Sequence, residues 1–137
     1  MRQGEYPAPG VENNSVQLGR DQIGLEAMEV AQLAAEAAGD KKASHVVVLD
    51  MKDVSSVTDY FVICSASNSV QVRAIADHIE ENLEGVKSKR FHREGYDGAR
   101  WILLDFGDVV VHVFHDQERD FYNLERLWGD AAVVNLA

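Results

Sequence analysis

GARWILLDFGDVVVHVF, residues 98–114, is the stretch on which the fold turns. It holds two runs of strand formers, Trp101 to Asp105 and Val109 to Phe114, with a glycine between them. Two such runs joined this tightly form an antiparallel hairpin. Phe106-Gly107 reads as its two-residue turn, where glycine tolerates positive φ and Phe106 is the unusual member. Asp105 is then expected opposite Asp108, Leu103 opposite Val110 and Trp101 opposite His112. Side chains alternate faces along a strand, so the faces follow directly. One carries Ile102, Leu104, Val109, Val111 and Val113, all apolar. The other carries Trp101, Leu103, Asp105, Asp108, Val110, His112 and Phe114.

The apolar face is core. The mixed face combines a Trp, a His, two acids and aliphatics, the composition found at the centre and rim of a protein interface. A competing reading packs Trp101 beneath the last helix and leaves Asp105 and Asp108 to cap the turn. The pattern leaves both open. Asp105-Phe106-Gly107 also spells the magnesium-binding triplet of protein kinases, but the chain has 137 residues. That leaves no room for two lobes, and the Gly-rich loop, strand Lys and catalytic-loop Asn are missing. The triplet is turn chemistry.

Working outward, the first 21 residues hold both prolines and few apolar side chains, which predicts a flexible tail before a single domain over residues 22–137. An Ala-, Leu- and Glu-rich helix is expected from Gln22 to Ala38, closed by Gly39. His45 to Met51 is a near-continuous apolar run suited to a strand covered on both faces. A second strand is expected from Asp59 to Cys64. Asn68 as N-cap, with Gln71 three residues on, predicts the start of a second helix. Val72, Ile75, Ala76, Ile79 and Leu83 line its buried face, and Gly85 ends it. Lys87 to Arg93 is expected as a short edge strand. A last helix begins near Asp116 and buries Phe121, Leu124 and Trp128. The order α-β-β-α-β-β-β-α makes an α/β sandwich around a mixed sheet.

Acidic residues outnumber basic ones 23 to 13, a formal net charge of −10. A protein that grips nucleic acid by its phosphates shows a basic stripe. Here the one basic cluster is Lys87, Lys89, Arg90 and Arg93, which suits a charge-blunted edge strand. Little direct nucleic-acid binding is therefore expected, and a basic protein partner is the better match. Cys64 is the single cysteine and sits in an apolar run, so it is expected as a buried hydrophobe without a disulfide. No apolar run approaches the length of a membrane span and there is no signal-peptide pattern, so the expected location is the cytoplasm, off the membrane.

Catalytic chemistry finds no support. His112, His115 and Asp116 are close in sequence, but residues three apart on a strand face opposite ways, so no metal site is expected. His78 beside Asp77 reads as surface. Asp50 and Asp53 lack the spacing and the Gly-Ser turn of a two-metal nucleotidyl transferase. Ser65, Ser67 and Ser69 have no Gly-x-Ser-x-Gly elbow around them. No phosphate-binding glycine loop is present, and no cofactor is expected.

Blocks along the chain resemble one family, the ribosomal silencing factors (RsfS, Iojap or YbeB). They are Lys42-Ala43, Val47-Val48-Leu49-Asp50, Thr58 to Ile63, Asn68 to Val72 with Ala74-Ile75-Ala76, Glu94-Gly95, Trp101 to Asp105, Gly107 to Phe114, Arg119, and Tyr122 to Trp128. The resemblance implies a mixed five-stranded sheet with flanking helices, similar to a nucleotidyltransferase fold without its active site. It also implies a non-enzymatic function. Members bind the large ribosomal subunit through ribosomal protein uL-fourteen, block joining of the small subunit and repress translation when nutrients run short. They are described as homodimers. Carried onto this chain, the contact surface is Trp101, Leu103, Asp105 and His112, with Tyr122 at the last helix. Trp101 would be the apolar anchor and Asp105 the partner of a basic or hydroxyl group. Arg119 and Glu125 would hold the last helix in place. An assembly factor for the large subunit using the same contact is the alternative.

Overall fold

Alanine shapes the first layer. In the computed structural model, which describes residues 25–123, 126 and 129–135, helix α1 spans Ala27–Asp40. Its buried face is Val30, Ala31, Ala34, Ala35, Ala37 and Ala38, small side chains that let the helix lie close to the sheet. Glu29 reaches back to accept from the Glu26 amide at 3.0 Å, which satisfies one donor that the first helical turn leaves open. The helix does not close at Gly39 as expected. It continues to Asp40, and the left-handed position falls on Lys42, whose φ is 63°. The amide of Ala43 then returns to Ala38 O at 3.1 Å.

Helix α2 spans Ser69–Asn82 and buries Val72, Ile75, Ala76 and Ile79, the face read from its periodicity. Asn68 Oδ1 accepts from the Gln71 amide at 2.9 Å. The reciprocal half of the box is spent elsewhere, because Gln71 Nε2 donates to the carbonyls of Lys41 and Lys42 and ties α2 to the end of α1. The helix stops at Asn82 rather than at Gly85, which lies in a single 3₁₀ turn, Glu84–Val86.

The sheet comprises β1 (Ser44–Asp50), β2 (Tyr60–Ala66), β3 (His92–Glu94), β4 (Trp101–Asp105), β5 (Val109–His115) and β6 (Ala132–Val133), in the spatial order β3-β4-β5-β2-β1-β6. The pair β2–β5 is parallel and the other described pairs are antiparallel, so the sheet is mixed as expected. It has six strands rather than five. The extra strand is two residues long, too short to show a period, and is held at the β1 edge partly by Val134 N to Val48 O at 2.8 Å. The edge strand β3 is shorter than Lys87–Arg93. Lys87 is drawn to Glu80 and Glu84, each at 3.0 Å, and lies over the Phe91 ring, which keeps its segment out of the ladder.

The hairpin register also differs. Asp105 pairs with Val110, Leu103 with His112 and Trp101 with Phe114. The turn is centred on Gly107-Asp108, with Gly107 at φ 94° and Phe106 N bonded to Val109 O at 2.9 Å. Placing the glycine first spares Phe106 the positive φ that the earlier register asked of it. The shift in pairing is two residues, so both faces keep their members.

Helices α1 and α2 cover one face of the sheet. There Ile102, Leu104, Val111 and Val113 join Val48, Val62 and Cys64 in the main core. Each fully buried aliphatic of this kind contributes roughly 1.5–3 kcal/mol. Burial pushes the Cys64 thiol up to about 12, as suits a buried hydrophobe. Among the described residues no helix is long and apolar enough to cross a membrane.

Candidate functional site

The register of the ladders sets out the opposite face in rows. One runs His92, Asp105, Val110, Phe61, Leu49 and Val133 from edge to edge. The next runs Glu94, Leu103, His112, Ile63 and Val47. Trp101 and Phe114 begin a third. A smaller core of Leu49, Met51, Ile63 and Phe114 lies here, with Val47, Phe61 and Trp101 packed against it. Trp101, Leu103 and Asp105 are half-buried, as are Phe61 and Val110. Four of the expected contact residues, Trp101, Leu103, Asp105 and His112, thus share one patch. The fifth, Tyr122, is the last residue of helix α3 (Asp116–Tyr122), and its side chain lies outside the described residues, as do Leu124, Glu125 and Trp128.

The mixed face is partly engaged with itself. The Trp101 ring stacks on Phe114 at a centroid distance of 4.9 Å. Asp105 caps the turn, Oδ1 accepting from the Gly107 amide at 2.8 Å. Its other oxygen is 3.9 Å from His92 Nδ1, and the side chain keeps a third of its surface open, so it retains capacity for a partner's donor. Between Asp105 and the segment after β1 opens a hollow of about 480 Å³, lined by Met51, Phe61, Leu103, Val110 and His112 among others.

His112 differs most from expectation. It was read as a surface contact, yet only 4 % of it is exposed. Phe61 meets it edge-on at 4.5 Å, and the Trp101 indole Nε1–H donates to His112 Nδ1 at 3.1 Å. A neutral imidazole that accepts at Nδ1 carries its proton on Nε2. Among the described residues Nε2 has no hydrogen-bond partner. Burial drives the imidazole down to about 4, so the ring is neutral at ordinary pH.

His115 is engaged separately, its Nδ1 accepting from Gln117 N at 3.3 Å as the N-cap of α3. Among the described residues no group of three His, Cys, Asp or Glu is placed to hold a metal ion. His78 is half-buried and bridges the helices through Asp40 at 3.2 Å. Asp50 is held below the usual carboxylate range by the backbone amide of Lys52. Arg119 does hold α3. Its guanidinium donates to His45 O at 2.6 Å and Ser65 Oγ at 3.2 Å, which pins the irregular start of β1, where His45 has φ 50°.

Sequence reasoning missed Phe61 and Met51 as members of this patch. The signal for Phe61 was present, since it alternates with the helix-side Tyr60 and Val62. Its meeting with His112 depends on the parallel β2–β5 register, which no local pattern reveals.

Residues 25–137 match the family described as ribosomal silencing factor during starvation, RsfS. A ribosomal silencing factor RsfS of Halalkalibacterium halodurans is 52 % identical over 110 residues, covering 79 % of this chain and 92 % of that one. A crystal structure of a Chromobacterium violaceum protein superposes with a TM-score of 0.72 at 33 % identity, over 77 % of this chain and 88 % of that one. More distantly, the mouse protein named mitochondrial assembly of ribosomal large subunit protein 1 is 29 % identical over 64 % of this chain and 40 % of its own length. With the match running through α1, α2 and the hairpin, the chain belongs to the ribosomal silencing factor family.

Proposed function

We propose that this chain is a non-enzymatic, cytoplasmic repressor of translation that docks on the large ribosomal subunit through ribosomal protein uL-fourteen and sterically blocks joining of the small subunit. The observation that carries the reading is the patch of Trp101, Leu103 and Asp105 around a hollow floored by His112, on the sheet face turned away from α1 and α2. Tyr122 extends the contact at the last helix. The net charge of −10 favours a basic protein over rRNA phosphates as the surface gripped. Self-association through the same patch would compete with docking, because a half-buried aromatic patch is a natural site for a second copy.

Co-sedimentation with separated subunits tests this. The protein is expected in the large-subunit fractions alone, and its presence there is expected to prevent assembled ribosomes from forming when small subunits are added. Trp101→Ala is expected to weaken large-subunit binding by about thirtyfold, the usual loss of ~2 kcal/mol for an aromatic anchor. Unchanged binding by both Trp101→Ala and Asp105→Lys would remove the patch from the interface.

A second reading assigns the same contact to maturation of the large subunit, and the mouse relative carries large-subunit assembly in its name. The silencing reading has the more similar relative behind it. Large-subunit precursors accumulating in a deletion strain in rich medium would favour assembly.

A further inference from the structure

A buried donor without an acceptor costs a protein stability, and native folds seldom keep one without use for it. Among the described residues the Nε2–H of His112 is such a group. Its position is built rather than incidental. Trp101 donates to Nδ1 and so fixes the tautomer, while Phe61 and Phe114 confine the ring from either side. The hollow that His112 lines lies among the residues already assigned to docking.

We propose that His112 Nε2–H is a preformed donor for one uncharged carbonyl oxygen of the docked ribosomal protein, presented beside an aliphatic side chain that fills the hollow. This deepens the proposed function and rests on it. The chemistry of the occupant follows from what surrounds the donor. The atom that meets Nε2–H must be an acceptor, which rules out an ammonium or guanidinium group at that point. A carboxylate at Nε2 would sit among Met51, Phe61, Leu103 and Val110 and beside Asp105, on a chain of net charge −10, while the one arginine of the lining, Arg90, is exposed to solvent. A backbone or side-chain carbonyl has neither difficulty. The walls (Met51, Phe61, Leu103 and Val110) offer aliphatic and aromatic surface to the group beside it. Nε2 is closed off in the free protein, so docking must displace a wall side chain, and Leu103 and Phe61 are the half-buried ones nearest in the register. Arg90, His92 and Asp105 also line the hollow, and the Arg90 and His92 side chains lie at its exposed margin.

The division of labour between the two ring nitrogens makes the inference testable apart from the docking reading itself. Imidazole ¹⁵N NMR of the free protein is expected to show His112 as the neutral Nε2–H tautomer. The Nδ1–H tautomer would overturn the inference without reference to any partner. Binding of wild type, His112→Phe and Trp101→Phe to purified large subunits comes next. His112→Phe keeps a ring in the core but strands the partner's carbonyl, and is expected to bind about ten- to a hundredfold more weakly. Trp101→Phe keeps the aromatic anchor but releases the tautomer, and is expected to lose several-fold. This variant keeps the question decidable if His112→Phe folds poorly. Wild-type affinity in either well-folded variant would overturn the inference and leave docking intact. Absence of binding by the wild-type chain would overturn the docking reading and the inference with it.

Discussion

Acidification from pH 7.5 to 4 should unfold this protein's advantage at a single residue. His112 is held at about 4 by burial, against about 6.5 for an ordinary imidazole. Between those values the unfolded chain binds a proton there that the folded chain refuses. Stability therefore rises with pH across the window, is complete above about 6.5, and is lost as the pH falls towards 4. With 1.36 kcal/mol for each pH unit, the loss is about 3 kcal/mol. No discount for solvent is due, because the ring is 4 % exposed. Protonation at Nδ1 would also cancel the acceptor that Trp101 Nε1–H uses, so a buried charge is gained as the hydrogen bond is lost. The assay is urea unfolding of wild type and His112→Phe at half-unit steps of pH. Carboxylates titrate in both proteins, so the difference between the two curves isolates His112. The variant is expected to gain on wild type by about 3 kcal/mol from pH 7.5 to 4, roughly 2 M in urea midpoint for a slope near ~1.5 kcal/mol/M. Parallel curves would refute the reasoning, since an imidazole with access to water has no reason to resist its proton.

Other substitutions test the frame around the patch. A Cβ at Gly95 would lie 2.1 Å from the carbonyl oxygen of Trp101, at a φ of 79°. Gly95→Ala is expected to cost about 2–4 kcal/mol and to lower the Tm by about 7–14 °C in a thermal melt. Gly39 is helical with nothing within 4 Å of its added Cβ, so Gly39→Ala should raise stability by about 0.5–1 kcal/mol. Removing the cap of α2 with Asn68→Ala should cost about 1 kcal/mol in chemical denaturation. Cys64, fully buried with its thiol raised to about 12, should resist a thiol reagent in the native state and react completely once denaturant is added.

Long periodic elements were readable because burial imposes its own spacing on them. The inner face of α2 emerged residue for residue, and β4 matched from Trp101 to Asp105. Boundaries moved where a tertiary contact outweighed a local signal. Gly39 was passed over because α1 could close on Lys42, and Gln71 left its capping box to bind the end of α1. The β3 strand lost most of its expected length, Lys87 to Phe91, to the Lys87 ion pairs with Glu80 of α2 and Glu84 beyond it. In each case the deciding partner lay on another element.

The patch survived an error in the hairpin that might be expected to destroy it, and the reason is geometric. Side chains on a strand alternate with period two, so a pairing shift of two residues leaves each residue on its own face. Trp101, Leu103, Asp105 and His112 therefore stayed together although every partner across the turn changed. A shift of one residue would have turned one strand over against the other, sending either Ile102 and Leu104 or Val109, Val111 and Val113 outward, and the apolar pattern forbids that. What alternation could not supply was depth. His112 and Val110 are on the same face of the same strand, yet one is buried and the other half-buried. The difference comes from the rows: His112 lies between Leu103 and Ile63, with Trp101 bonded over it and Phe61 against its edge. A face can thus be legible from one strand, whereas the state of a titratable group on it belongs to the whole sheet. The residue that reads most simply as a polar surface contact is instead the neutral floor of the hollow.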